Sequence, residues 1–123
     1  MTDDLETQEK SVQELLAEHW EDCLEAKLEG HNRASHQQVN AAIARYFYGL
    51  KQLGSEGNKV KILETMRGLF EELDRINEDA GGGLLETDER ELLVPVIIQA
   101  AETAGLDVDE FEDGDPTFAF RNF

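Results

Sequence analysis

Residues 11–29 read SVQELLAEHWEDCLEAKLE, and their periodicity decides the fold class. Val12, Leu15, Leu16, His19, Trp20, Cys23, Leu24 and Leu28 recur every three or four residues, the spacing of one helical face. Glu14, Glu18, Glu21, Asp22, Glu25 and Glu29 fall on the opposite face. Gly30 is a natural stop, because glycine readily takes the conformation that ends a helix. The stretch predicts an amphipathic helix from Ser11 to Glu29, apolar inward and acidic outward.

The same period recurs downstream. Ser35 to Leu53 predicts a second helix with Ser35 as N-cap, its stripe made of Val39, Ala42, Ile43, Tyr46, Phe47, Leu50 and Leu53. This segment holds no acid, and between Gly30 and Ser55 the only formal charges are Arg33, Arg45 and Lys51. It is therefore expected to be the central, most buried helix. Gly54-Ser55-Glu56-Gly57 makes a loop. A third helix follows over Asn58 to Glu78, with Val60, Leu63, Met66, Leu69, Phe70, Leu73 and Ile76 as its apolar face. Gly68 inside it costs about 1 kcal/mol relative to alanine, which points to a close helix–helix approach there. Ala80-Gly81-Gly82-Gly83 is a break. A fourth helix starts at Asp88, with Glu91 three residues on as in a capping box, and ends at Gly105. Leu92, Leu93, Val96, Ile97, Ala100, Ala101 and Ala104 face inward. Pro95 is expected to kink it or to mark a later start.

The remaining segment, 106–123, alternates acids with Phe111, Phe118, Phe120 and Phe123. No partner strand is evident, so it reads as an irregular aromatic and acidic arm packed across the helices, with the rings turned in and the Asp-rich turn out. The expectation is an all-α, single-domain bundle of four main helices over 1–123, with this C-terminal arm. The alternative is that the rings form a docking patch for a partner or for a second copy of the chain.

Charge sets the functional frame. The 123 residues carry 28 Asp plus Glu against 11 Lys plus Arg, a formal net charge of −17. Small domains usually stay within a magnitude of about 2–8. Such a surface repels nucleic acid and membranes and attracts something basic. Cys23 is alone, so no intramolecular disulfide forms, and a helical Cys of this kind reads as a small hydrophobe in a reducing compartment. Met1 to Lys10 is polar and acidic, unlike a secretory signal, and the apolar runs are too short to span a bilayer. The cytoplasm is the expected location.

Few residues suit catalysis. His19, His31 and His36 are the only histidines. His19 lies on the apolar face of its helix and reads as a satisfied core residue, while His31 and His36 lie in or near a loop and read as solvated. Cys23 follows His19 by four residues, so the two share a face; packing explains that pair more simply than a catalytic dyad. No Glu-x-x-His and no Cys-x-x-Cys is present, which removes the di-iron bundle and structural zinc signatures. Glu18 and Glu21 with Glu71 and Asp74 match the letters of the magnesium-binding carboxylates of all-helical nucleotide pyrophosphatases. Glu86 and Glu89 with Glu110 and Asp113 match them too. With so many acids, matches of this kind arise by chance. Asp107, Asp109, Asp113 and Asp115 resemble part of a calcium loop, but Phe111 occupies a ligand slot and the closing Glu is missing. No cofactor, metal or catalytic residue is expected. Basic residues are scattered, so direct binding to a phosphate backbone is disfavoured.

Residues Gly83-Leu84-Leu85-Glu86-Thr87-Asp88-Glu89-Arg90-Glu91, then Ala100-Ala101 and Ala104-Gly105-Leu106, then Asp115-Pro116-Thr117 and Arg121-Asn122-Phe123 resemble the C-terminal half of a small bacterial family of uncharacterised proteins. The resemblance implies a bacterial origin and a single small domain. It implies no activity, cofactor or catalytic residue.

The leading functional expectation is a non-enzymatic acidic binding protein that docks on a basic protein. Its sharpest form is an inhibitor or immunity protein, or a DNA mimic, that neutralises a nuclease or another nucleic-acid-binding protein. The docking face is Glu14, Glu18, Glu21, Asp22, Glu25 and Glu29. An adaptor or secretion-type chaperone with an apolar groove, and a magnesium-dependent pyrophosphatase, are the alternatives.

Overall fold

The computed structural model describes residues 4–54 and 58–121. The loop residues 55–57 and Phe123 of the arm lie outside the described residues. Four α-helices form the fold: α1 (Leu5–Glu25), α2 (Arg33–Leu53), α3 (Lys59–Asp79) and α4 (Thr87–Thr103). Two 3-10 turns follow at Val108–Glu110 and Glu112–Gly114. The described residues contain no strand, so the all-α bundle holds. α2 packs against each of the other three helices, as its lack of acids implied.

Helix boundaries follow caps that periodicity does not reveal. α1 begins six residues before the expected Ser11, because the Asp4 carboxylate accepts the Thr7 amide at 2.8 Å. Gln8 extends the inner stripe backward: it is buried and donates to the Thr103 hydroxyl at 2.8 Å. α1 stops at Glu25 rather than at Glu29. Lys27 there takes a left-handed φ of 54°, and the Leu28 amide reaches back to the Cys23 carbonyl at 3.3 Å. Such a six-to-one bond is the ordinary close of a helix. α2 is capped by Asn32, not Ser35; Ser35 is instead its reciprocal partner, at 2.8 and 3.1 Å. α4 is capped at Glu86, not Asp88, and Glu89 rather than Glu91 accepts the capping residue's amide, at 2.9 Å. Buried Leu84 and Leu85 fix that start, with Asn77 Oδ1 accepting both of their amides at 3.1 and 2.9 Å. Pro95 therefore sits in the third turn of α4 rather than at its start.

The core joins all four helices around Leu16, Ile43, Phe47, Phe70, Leu93 and Ile97. Tyr46 crosses it and donates to the Ile97 carbonyl at 2.7 Å, linking α2 to α4. Burial pushes its phenol pKa up, so it stays neutral. The stripe of α3 runs through Ile62, which is fully buried, and not through Val60, which is 64% exposed. Leu15 and Leu28 also face outward. Gly68 is not a close-approach site, since a Cβ there would meet nothing within 4 Å. The close approach of α2 to α3 lies at Gly49, where a Cβ would stand 2.9 Å from Thr65 Cγ2.

In the C-terminal segment Phe111 and Phe120 pack on the core, but Phe118 is 78% exposed, against the expectation that the rings turn in. Asp115 organises this end: it accepts from the Thr117 amide at 2.9 Å, the Thr117 hydroxyl at 2.5 Å and Arg121 at 2.8 Å. Partial burial alone would raise its pKa, yet these donors outweigh burial and lower it. Among the described residues no helix is long and apolar enough to cross a membrane.

Candidate functional site

Two features of α1 bear on function, one on each side of the helix. On the outer side Glu14, Glu18, Glu21, Asp22 and Glu25 are all exposed. Successive residues turn by about 100°, which sets these five within roughly a third of the circumference. Among the described residues, none of them has a lysine or arginine within 4.0 Å. Other acids are compensated: Glu9 pairs with Lys51, Glu72 with Arg45, and Glu110 with Lys59. Glu29 is exposed too but leaves this face, because α1 has ended before it. It lines a pocket between the α1–α2 and α3–α4 loops instead.

The inner side of α1 carries His19 and Trp20, and the other two histidines, His31 before α2 and His36 in α2, meet it there. His36 is 4% exposed, not solvated, and stacks on Trp20 with ring centroids 4.1 Å apart and planes 9° off parallel. The Trp20 indole donates to Asn40 Oδ1 at 2.9 Å. His31 Nδ1 and His36 Nε2 share a hydrogen bond at 2.9 Å. One ring must donate and the other accept, so at least one stays neutral there. Burial, then the neighbouring His31, lowers the His36 pKa to about 4, and burial also lowers that of His31. Asn32, the cap of α2, lies between the two, and His36 is among the buried residues of the helix it opens.

His19 faces α4. Its Nε2 lies 2.5 Å from Glu89 Oε2 and 3.5 Å from Cys23 Sγ. Glu89 is only 5% exposed, while the His19 side chain is 21% exposed. Burial, then Glu89, raises the Cys23 pKa and keeps the thiol protonated. Glu89 and His31 both line the pocket of about 250 Å³ described above, so this corner opens to solvent. Among the described residues, His19, Cys23 and Glu89 form the one group of three His, Cys or acidic ligand atoms all within 4.8 Å of one another. Neither magnesium quartet converges in this way, and neither do the aspartates of the calcium-like stretch. The sequence pairs His19 with Cys23 but gives no signal for Glu89, which comes from 70 residues away.

Comparison with family models, with curated proteins and with solved structures returned no match.

Proposed function

We propose that this chain is a non-enzymatic binding protein that docks the outer face of α1 on a basic protein. Its sharpest form is an inhibitor or immunity protein that covers the phosphate-binding groove of a nuclease or another nucleic-acid-binding protein. The observation that carries the reading is the set of five exposed, uncompensated carboxylates on one side of a 21-residue helix. Opposite potentials accelerate encounter and select partners by sign more than they add affinity. A rigid helix holds its carboxylates in place, so little side-chain order is lost beyond the rotamers themselves.

Charge spacing bears on the DNA-mimic form. Glu14, Glu18, Glu21, Asp22 and Glu25 are spread along about 16 Å of helix axis, roughly one charge per 4 Å. A nucleic-acid strand carries one per about 3.4 Å. The α1 face alone is thus close to a single strand but more dilute than a duplex, which carries one charge per about 1.7 Å, and this favours a docking surface over a literal copy of double-stranded DNA.

A second reading, an adaptor or chaperone with an apolar groove, draws on a pocket of about 400 Å³ lined by Leu63, Phe111, Pro116, Phe118 and Phe120. The exposed Phe118 ring at its edge is the feature that favours it. Binding to immobilised basic nucleic-acid-binding proteins separates the two. Docking through α1 is lost when Glu18, Glu21 and Glu25 are changed to Lys and survives Phe118→Ser. Groove binding shows the reverse pattern.

A further inference from the structure

We propose that His19, Cys23 and Glu89 form a binding site for a divalent transition metal of zinc type, beside the pocket that Glu89 lines. The inference goes beyond the docking reading and does not rest on it. An imidazole nitrogen, a thiol sulfur and a carboxylate oxygen meet at one point. These are the three donor types zinc takes from proteins. Calcium and magnesium take oxygen alone, so the sulfur and nitrogen select against them.

Geometry fits this donor set. Zinc bonds of about 2.3 Å to sulfur and 2.05 Å to nitrogen, at a tetrahedral angle, set those atoms about 3.5 Å apart. Cys23 Sγ and His19 Nε2 stand 3.5 Å apart. The four-residue spacing on α1 produces that match, because it stacks the two side chains one turn apart. Nitrogen and oxygen ligands of zinc are about 3.3 Å apart, so His19 Nε2 and Glu89 Oε2, now at 2.5 Å, separate by under about 1 Å when the ion enters.

Burial supplies an independent argument. Glu89 is a carboxylate 5% exposed, and among the described residues no lysine or arginine lies within 4.0 Å of it. Its one ionic partner among the described residues is His19, and a buried carboxylate is costly unless positive charge compensates it. A dication between the three donors provides that charge. It displaces the thiol proton and any proton held between His19 and Glu89, and both leave to solvent. Glu89 is already oriented, since its other oxygen accepts the Glu86 amide at 2.9 Å, the kind of outer hydrogen bond that fixes a ligating carboxylate. Of the three donors Glu89 lines the neighbouring pocket, together with His31, Glu86 and Asp88, so solvent reaches the cluster from the Glu89 side.

The test uses the full chain without a histidine tag, titrated with Zn²⁺ and Co²⁺ over an excess of Mg²⁺ that occupies weak carboxylate sites. The expected result is one zinc per chain by equilibrium dialysis with metal analysis. The cobalt form is expected to show a sulfur-to-cobalt charge-transfer band and the strong visible bands of a tetrahedral site. Cys23→Ser and His19→Gln are each expected to weaken zinc binding by at least about tenfold, while Glu102→Gln on the exposed side of α4 leaves it unchanged. Absence of stoichiometric zinc over magnesium, or of the thiolate band in the wild-type cobalt form, overturns the proposal whether or not the variants fold. So does unchanged affinity in both ligand variants.

Discussion

Glu89 Oε2 sits 2.5 Å from His19 Nε2, joining the first turn of α4 to the second half of α1 across 70 residues of sequence. The same carboxylate accepts the Glu86 amide with its other oxygen. One buried side chain thus caps one helix and braces it against another. Glu89→Ala removes both bonds, leaving the Glu86 amide without its acceptor and His19 with Cys23 as its remaining partner. An unsatisfied buried group costs about 1–3 kcal/mol, so a loss of roughly 2–3 kcal/mol is expected. Glu89→Gln keeps an oxygen for the amide and is expected to lose less than half as much. Chemical denaturation checks both, and equal losses in the two variants would contradict the dual role.

The two mid-helix glycines are expected to respond in opposite directions. Gly68 has open space around its missing Cβ. Gly68→Ala therefore gains helix propensity, about 1 kcal/mol, and raises the melting temperature by roughly 3–5 °C. Gly49→Ala drives a Cβ to 2.9 Å from Thr65 Cγ2, while the Thr65 hydroxyl is held by the Lys61 carbonyl at 2.8 Å. It is expected to lower the melting temperature, and thermal denaturation of the pair decides the matter.

Stability is expected to fall as pH drops from about 6.5 to about 4 through His36. Its folded pKa is lowered to about 4 by burial, then by His31 and His19, with Glu89 opposing. The unfolded chain keeps a pKa of about 6.5, so in that window the unfolded state binds more protons and stability rises with pH. The contribution is complete above pH 6.5 and amounts to about 3 kcal/mol. His36→Phe keeps a ring to stack on Trp20 but cannot titrate. Denaturant midpoints measured across this range are expected to vary less with pH in that variant, and an unchanged pH dependence would contradict the assignment.

Lys27 ends α1 with a φ of 54°, a conformation that costs a non-glycine residue about 1 kcal/mol. Lys27→Gly is expected to recover that strain, offset in part by the greater freedom of glycine in the unfolded chain. A small rise in denaturant midpoint checks it.

The helices were legible in the sequence because apolar spacing survives any choice of partner. The number and order of elements follow from it, as does the central place of acid-free α2. Ends were less legible because caps are local chemistry. Asp4 and Asn32 each outcompeted the position that hydrophobic spacing favoured, and Leu84 and Leu85 pulled the start of α4 forward. The phase of α3 shifted from Val60 to Ile62, since both are β-branched and only packing separates them. The outer acids of α1 were readable as a face, except Glu29, which a left-handed Lys27 turned away. The corner made by His19, Cys23 and Glu89 was half visible. A four-residue spacing joins the first two, but only tertiary packing brings α4 to them.

Exposed charge on α1 is the centre of this account, and association kinetics test it most directly. Two variants of equal net charge separate the face from the total. One carries Lys at Glu14, Glu18, Glu21 and Glu25; the other carries Lys at Glu64, Glu71, Glu78 and Glu102, which are also exposed. The measurement is the association rate with immobilised basic nucleic-acid-binding proteins over a range of ionic strength, since charges more than about 8 Å apart are largely screened at physiological salt. The expected result is a wild-type rate that falls steeply with salt, a rate reduced by at least about tenfold in the α1 variant, and a much smaller loss in the other. Equal losses in both variants, or a salt-independent rate that tolerates the α1 changes, would contradict it.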